Sequence, residues 1–155
     1  MQYLFQGWSC RGEEKYKDML MDIATEEIGH VEMLATMVAR LLEGAPVEDQ
    51  EAAMKKDPAI GAIISGMNPQ HAIVAGLGPR PADSVGNPWS GAYIIASGNL
   101  LADFRANLNA ESQGRLQVAR IYEMIDDRGV KDLLSVLLAR DSYHQKPLGT
   151  SCQRT

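Results

Sequence analysis

Apolar positions recur at alternating steps of four and three residues along three stretches of the chain, and that spacing marks the seam of a helix packed in a bundle. The first stripe runs Tyr16, Leu20, Ile23, Glu27, His30, Leu34, Met37, Leu41, and predicts one long helix from Glu13 to about Leu42. Acids near its start and Arg40 near its end suit the helix dipole, and Gly44 with Pro46 ends it. The second runs Leu100, Phe104, Asn107, Glu111, Gly114, Val118, Ile121, Ile125, inside a helix expected from about Ala92 to Asp126. The third runs Val130, Leu134, Leu137, Asp141, His144, inside a helix expected from about Val130 to Gln145. Pro147 and Gly149 are expected to break it and leave a frayed tail. The opening "MQYLFQGW" reads as the end of a further helix.

Between these stripes, Glu48 to Lys56 reads as a short helix closed by Asp57–Pro58. Gly66 to Gly91 is rich in glycine and proline, and Ile73, Val74, Leu77 and Trp89 give it apolar anchors. A connection this long inside a compact domain reads as a functional or interface loop and not as a disordered linker. The expectation is an all-α four-helix bundle with an incomplete first helix and a long Gly/Pro-rich crossover loop.

All three stripes carry polar residues where apolar ones belong: Glu27 and His30, then Glu111, then Asp141 and His144. Burying an unpaired carboxylate costs several kcal/mol, on the order of the desolvation penalty of an ion. These residues in register on three seams call for a shared positive partner, and a metal pair serves best. Carboxylates can bridge two ions while neutral imidazoles fill terminal positions. Glu27-x-x-His30 places both side chains one turn apart on one face, and Asp141-x-x-His144 repeats that geometry. Di-iron and di-manganese carboxylate bundles use one Glu from each of two helices and an ExxH from each of the other two. Here the first helix should supply the second lone Glu, and "MQYLFQGW" holds no carboxylate. Each motif alone has a plainer reading: a solvated ExxH face, a surface pair at a helix end, an exposed Glu. Their joint place in the seams decides against it. Glu26 and Glu32 lie off the stripe and read as surface charges, and His71 reads as a loop hydrogen-bonder.

The charge narrows the partners. The 155 residues carry a net charge of −5, which argues against nucleic acid or an anionic membrane. No apolar run reaches transmembrane length and no signal peptide is visible. Cys10 and Cys152 form no CxxC pair and read as free thiols in a reducing cytoplasm, which makes the expected localisation cytoplasmic.

The segments "YLFQGWSCRGEEKYKDMLMDIATEEIGHVEMLATM", "GMNPQHAIVAGLGPRPAD", "GNPWSGAYIIASGNLLADFRANLNAESQGRLQVARIYEMIDD" and "ARDSYHQ" closely resemble the non-haem manganese catalases, over nearly the whole chain up to Gln145. The resemblance implies a ferritin-like bundle holding two manganese ions. It implies an oxidoreductase that disproportionates hydrogen peroxide to water and dioxygen in defence against oxidative stress. By motif, Glu27 of "TEEIGH" would bridge the metals and His30 would bind the first, while Glu111 of "NAES" and His144 of "DSYHQ" would bind the second. Asp141 matches an acidic residue one turn before the second histidine, with either a proton-handling role or a ligand-orienting one. Asp18 and Asp22 match two acidic ligands of a calcium site that some members carry at a subunit boundary. Assembly as a homo-hexamer is implied as well.

Departures from the family set the alternatives. Met1 reads as an internal methionine of a longer protein, with the missing carboxylate about one turn before it, and "KPLGTSCQRT" does not match the family. Residues 1–146 are therefore expected to form the di-metal bundle domain and 147–155 a non-matching tail. The competing readings are a metal-binding ferritin-like fragment without turnover and a structural relative of the spore-coat kind. The ligand set suits manganese or iron.

Overall fold

The computed structural model describes residues 1–43, 78–83 and 85–154, with side chains omitted at 42–43 and 152–154. The short helix expected at Glu48–Lys56, the helix stop at Gly44 and Pro46, His71, and the loop anchors Ile73, Val74 and Leu77 lie outside the described residues. Four α-helices are described: α1 Gln2–Ser9, α2 Glu14–Glu43, α3 Leu100–Met124 and α4 Arg128–Arg154, with a single 3-10 turn at Gly91–Tyr93. The chain divides into two compact units, one of Met1–His30 with Ile94–Thr155 and one of Val31–Tyr93.

In the first unit α1, α2 as far as His30, α3 and α4 form a ferritin-like bundle. All four contribute to one apolar cluster: Tyr3 from α1, Tyr16, Leu20, Ile23 and Ala24 from α2, Phe104 from α3 and Leu148 from α4. The Tyr16 and Phe104 rings meet edge to face with centroids 5.6 Å apart. Helix α1 sits tight on α2 because Gly7 has no side chain: a Cβ there would lie 2.6 Å from the Met21 sulfur. α3 and α4 pack along each other.

Side-chain amides fix α1 against α3. Gln2 Nε2 donates to Asn107 Oδ1 at 2.8 Å, and Asn107 Nδ2 donates to Gln6 Oε1 at 2.6 Å. The same two glutamines hold the extended segment before α3. Gln6 Nε2 donates to the Ile95 carbonyl at 2.7 Å, and the Ile95 amide donates to Gln2 Oε1 at 2.9 Å. Asn107 and Gln6 are almost fully buried, so each amide left unmade would cost about 1–3 kcal/mol.

Two helix boundaries differ from those the pattern predicts. α3 begins at Leu100, not near Ala92. Gly98 adopts φ +78°, Asn99 caps the helix by accepting the Ala102 amide at 3.0 Å, and Ile95 is committed to the α1 glutamines. α4 does not break at Pro147 but runs through it to Arg154. Proline forfeits one backbone hydrogen bond there, and burial outweighs that loss: Leu148 is fully buried in the core and Ser151 is buried one turn on.

In the second unit part of the Gly/Pro-rich stretch is an ordered turn. Ala82 and Pro88 form an isolated antiparallel bridge. The Asp83 carboxylate accepts the Val85 amide at 3.0 Å, the Asn87 amide at 2.8 Å and Asn87 Nδ2 at 2.9 Å. Gly86 takes φ +88°, which suits a glycine at this turn.

Because Leu148 is fully buried beyond the proline, Leu148→Ala should destabilise the chain by about 2–5 kcal/mol in urea unfolding. A change below about 0.5 kcal/mol, the level of an ordinary surface substitution, would show that the helix beyond Pro147 does not pack.

Candidate metal centre

The polar positions of the three seams meet inside the first unit. Glu27 Oε2 lies 3.2 Å from His30 Nδ1, and Glu27 Oε1 lies 3.0 Å from His144 Nδ1. Glu111 Oε1 stands 3.8 Å from the same His144 Nδ1. The two imidazoles stack with centroids 5.9 Å apart. His30, Glu111 and His144 are buried, and Glu27 and Asp141 are half-buried.

Helical periodicity explains this convergence. Glu27 and His30 are three apart on α2 and Asp141 and His144 three apart on α4, so each pair shares a face. Two groups of three ligand atoms result, each within 4.8 Å of one another: Glu27, Glu111 and His144, and Glu27, His30 and Asp141. Glu27 belongs to both, which is the arrangement a carboxylate shared by two cations requires. Asp18 and Asp22 are exposed on α2 and join neither group.

The donor set fits a cation. Glu27 Oε1 and His144 Nδ1 are both buried and, despite their 3.0 Å separation, neither makes a hydrogen bond among the described residues. A metal ion would satisfy both, since carboxylate oxygen and imidazole nitrogen are the ligands divalent manganese, iron and zinc accept.

The surroundings hold residues that the seam pattern did not disclose. Tyr3 on α1 donates its hydroxyl to Glu111 Oε1. No stripe led to it, because α1 has only eight residues. Glu26 is not an ordinary surface charge. It takes a two-pronged hydrogen bond from Arg140, with Nη2 at 2.7 Å from Oε2, and its Oε2 lies 3.1 Å from His144 Nε2. The spacing shows only which face each lies on: Glu26 precedes His30 by four residues and Arg140 precedes His144 by four.

Electrostatics follow from this crowding. Arg140 holds the Glu26 carboxyl down at about 2. Burial pushes Glu27 up, but the two histidines outweigh it and leave the carboxyl lowered. Burial raises Glu111 and Asp141, and the Glu27 charge adds to both. Burial and the Glu111 charge put the Tyr3 phenol far above its ordinary range. Burial would lower His144, yet Glu27, Glu26 and Glu111 raise it from 6.5 to about 9.

With no metal bound, His144 should therefore favour the imidazolium near neutrality. Because the folded value is raised, its stabilising contribution is complete below about 6.5 and lost as pH rises through about 9. A metal must displace that proton. Affinity for Mn²⁺ should climb from pH 6 to about 9, with about one proton released per chain at pH 7. Calorimetry in two buffers of different ionisation enthalpy reads this, and a pH-independent affinity without proton release would contradict it.

Known proteins place the chain. The family model for manganese containing catalase matches residues 1–150. A manganese catalase of Bacillus subtilis is 74% identical over 145 residues, covering 94% of this chain and 53% of that protein. A manganese catalase of Lactiplantibacillus plantarum is 48% identical over 145 residues, with 94% and 54% covered. The crystal structure of KatB, a manganese catalase from Anabaena PCC7120, superposes with a TM-score of 0.78 at 27% identity, over 99% of this chain and 62% of that one. The chain thus spans about half the length of the curated relatives it matches. With its bundle, its paired ligand groups and this match over nearly its full length, the chain belongs to the manganese-containing catalase family.

Proposed function

We propose that this chain carries the metal-holding bundle of a manganese catalase and converts two hydrogen peroxide molecules to two waters and dioxygen. The observation that carries the reading is the pair of ligand groups sharing Glu27, with Glu27 Oε1 and His144 Nδ1 buried and without hydrogen-bond partners among the described residues. A bound manganese pair supplies a two-electron change between divalent and trivalent states, enough to reduce one peroxide to water and oxidise the next to dioxygen.

The chain's own residues do the rest. Glu27 would be the shared carboxylate, His30 would serve one position, and Glu111 with His144 would serve the other. Reduction of peroxide to two waters consumes two protons and oxidation to dioxygen releases two, so a nearby group must hold protons between the half-reactions. Asp141 suits this role, because its carboxylate lies within 4.8 Å of ligand atoms of Glu27 and His30 and burial raises its pKa. Tyr3 keeps Glu111 from swinging by donating to its Oε1. The homo-hexamer that the resemblance implies belongs to this proposal on family grounds alone. So does a calcium ion at Asp18 and Asp22, which join no group of three ligands among the described residues.

A second reading, metal binding without turnover, has one observation in its favour. α1 contains no acidic residue, so the ligand group that includes His30 has only Glu27 and Asp141 as carboxylates among the described residues. Dioxygen evolution separates the two. The purified chain, reconstituted with manganese, should evolve dioxygen from peroxide, and Glu27→Ala should lower the rate by about a hundredfold or more, the scale of losing a metal-holding group. A folded chain that holds two manganese ions and evolves none would establish the second reading.

A further inference from the structure

We propose that Glu26, clamped by Arg140, is the positioning residue of the metal centre: it takes the outer nitrogen of His144 and thereby turns the inner nitrogen onto the metal position. The inference rests on the metal-binding part of the reading above and not on turnover.

The geometry is a sandwich. Successive residues of a helix diverge by about 100°, so Glu26 and Glu27 leave α2 in different directions. The histidine pair lies between their carboxylates. Both inner nitrogens face Glu27, at 3.2 Å for His30 Nδ1 and 3.0 Å for His144 Nδ1. Both outer nitrogens face Glu26, at 3.1 Å for His144 Nε2 and 3.7 Å for His30 Nε2. Only the contact to His144 is within hydrogen-bonding distance.

The chemistry follows from what each group can donate. An ionised carboxylate is an acceptor only, so the His144 nitrogen that meets Glu26 must carry a hydrogen. A neutral imidazole then has its lone pair on Nδ1, the atom that is buried without a hydrogen-bond partner beside Glu27. Carboxylates that fix a metal-binding imidazole in this way orient the ring and raise its basicity.

Arg140 makes the arrangement rigid. Two nitrogens of its guanidinium engage both oxygens of Glu26, a fork geometry lysine cannot copy. The pair also joins α2 to α4 one turn before His144. Glu26 is thereby held facing the outer nitrogens, and it belongs to neither ligand group. An ordinary surface ion pair would contribute little to stability and would leave the histidine tautomer unset.

Three variants of the full chain test this: Glu26→Gln, which keeps the shape and removes the charge; Arg140→Lys, which keeps the charge and removes the fork; and Glu32→Gln, an exposed control on the same helix. Mn²⁺ affinity by calorimetry should fall about ten- to a hundredfold in Glu26→Gln, by less in Arg140→Lys, and not at all in the control. Nitrogen-15 spectra of the wild-type chain loaded with diamagnetic Zn²⁺ should show His144 metallated at Nδ1 and protonated at Nε2. Glu26→Gln should lose that single tautomer. Unchanged Mn²⁺ affinity in Glu26→Gln, or wild-type His144 metallated at Nε2, would overturn the proposal. Should Glu26→Gln not fold, the wild-type tautomer decides alone. A wild-type chain that binds no metal defeats the metal centre and this inference together, whereas one that binds metal but evolves no dioxygen defeats the catalase reading only.

Discussion

Everything in this bundle answers one constraint: Glu27, Glu111 and Asp141 are brought close together in the interior of three packed helices. Like charges at such distances repel strongly where water is scarce, and desolvation adds to the cost. The chain's own residues offset part of this cost. His144 takes a proton, Tyr3 donates to Glu111, and Glu111 and Asp141 shift towards their neutral forms. Glu27 Oε1 and His144 Nδ1 lie 3.0 Å apart, and among the described residues neither makes a hydrogen bond. A divalent cation pair, as proposed above, would resolve the whole set at once, and metal binding and the stability of this bundle would then belong to the same balance.

The scaffold around the site serves to hold these groups at fixed rotations. α1 is short, and helices of that length are not stable alone in water. Its attachment comes from Gly7 against Met21, from Gln2 and Gln6 on Asn107 and Ile95, and from Tyr3 in the core. That attachment also delivers the Tyr3 hydroxyl to Glu111, so packing and site chemistry share one residue. At the other end of the chain Leu148 and Ser151 seat α4 beyond Pro147, which fixes the helix that carries Asp141 and His144. Among the described residues no helix is long and apolar enough to cross a membrane.

Much of the bundle is legible in the spacing of apolar residues, because a seam must keep one face inward whatever its neighbours are. The interruption of three seams by Glu27, His30, Glu111, Asp141 and His144 is legible for the same reason, and the structure brings those five together. What the pattern misses depends on packing between segments distant in sequence. α3 starts late because Ile95 bonds to α1, a contact spanning 93 residues to Gln2. α4 passes through Pro147 because Leu148 finds the core. Glu26 reads as a surface charge in the sequence because a stripe marks one face, and its partners Arg140 and His144 come from another helix. Asp18 and Asp22, matched by resemblance to a calcium site, remain exposed outside both ligand groups.

The central claim is that Glu27 is shared by two metal positions. Crystals of the chain grown with Mn²⁺, with diffraction collected on both sides of the manganese absorption edge, test it most directly. The account requires two anomalous peaks, one bounded by Glu27, Glu111 and His144 and the other by Glu27, His30 and Asp141, with the Glu27 carboxylate between them. A single peak, or peaks that leave Glu27 Oε1 and His144 Nδ1 untouched, would contradict it.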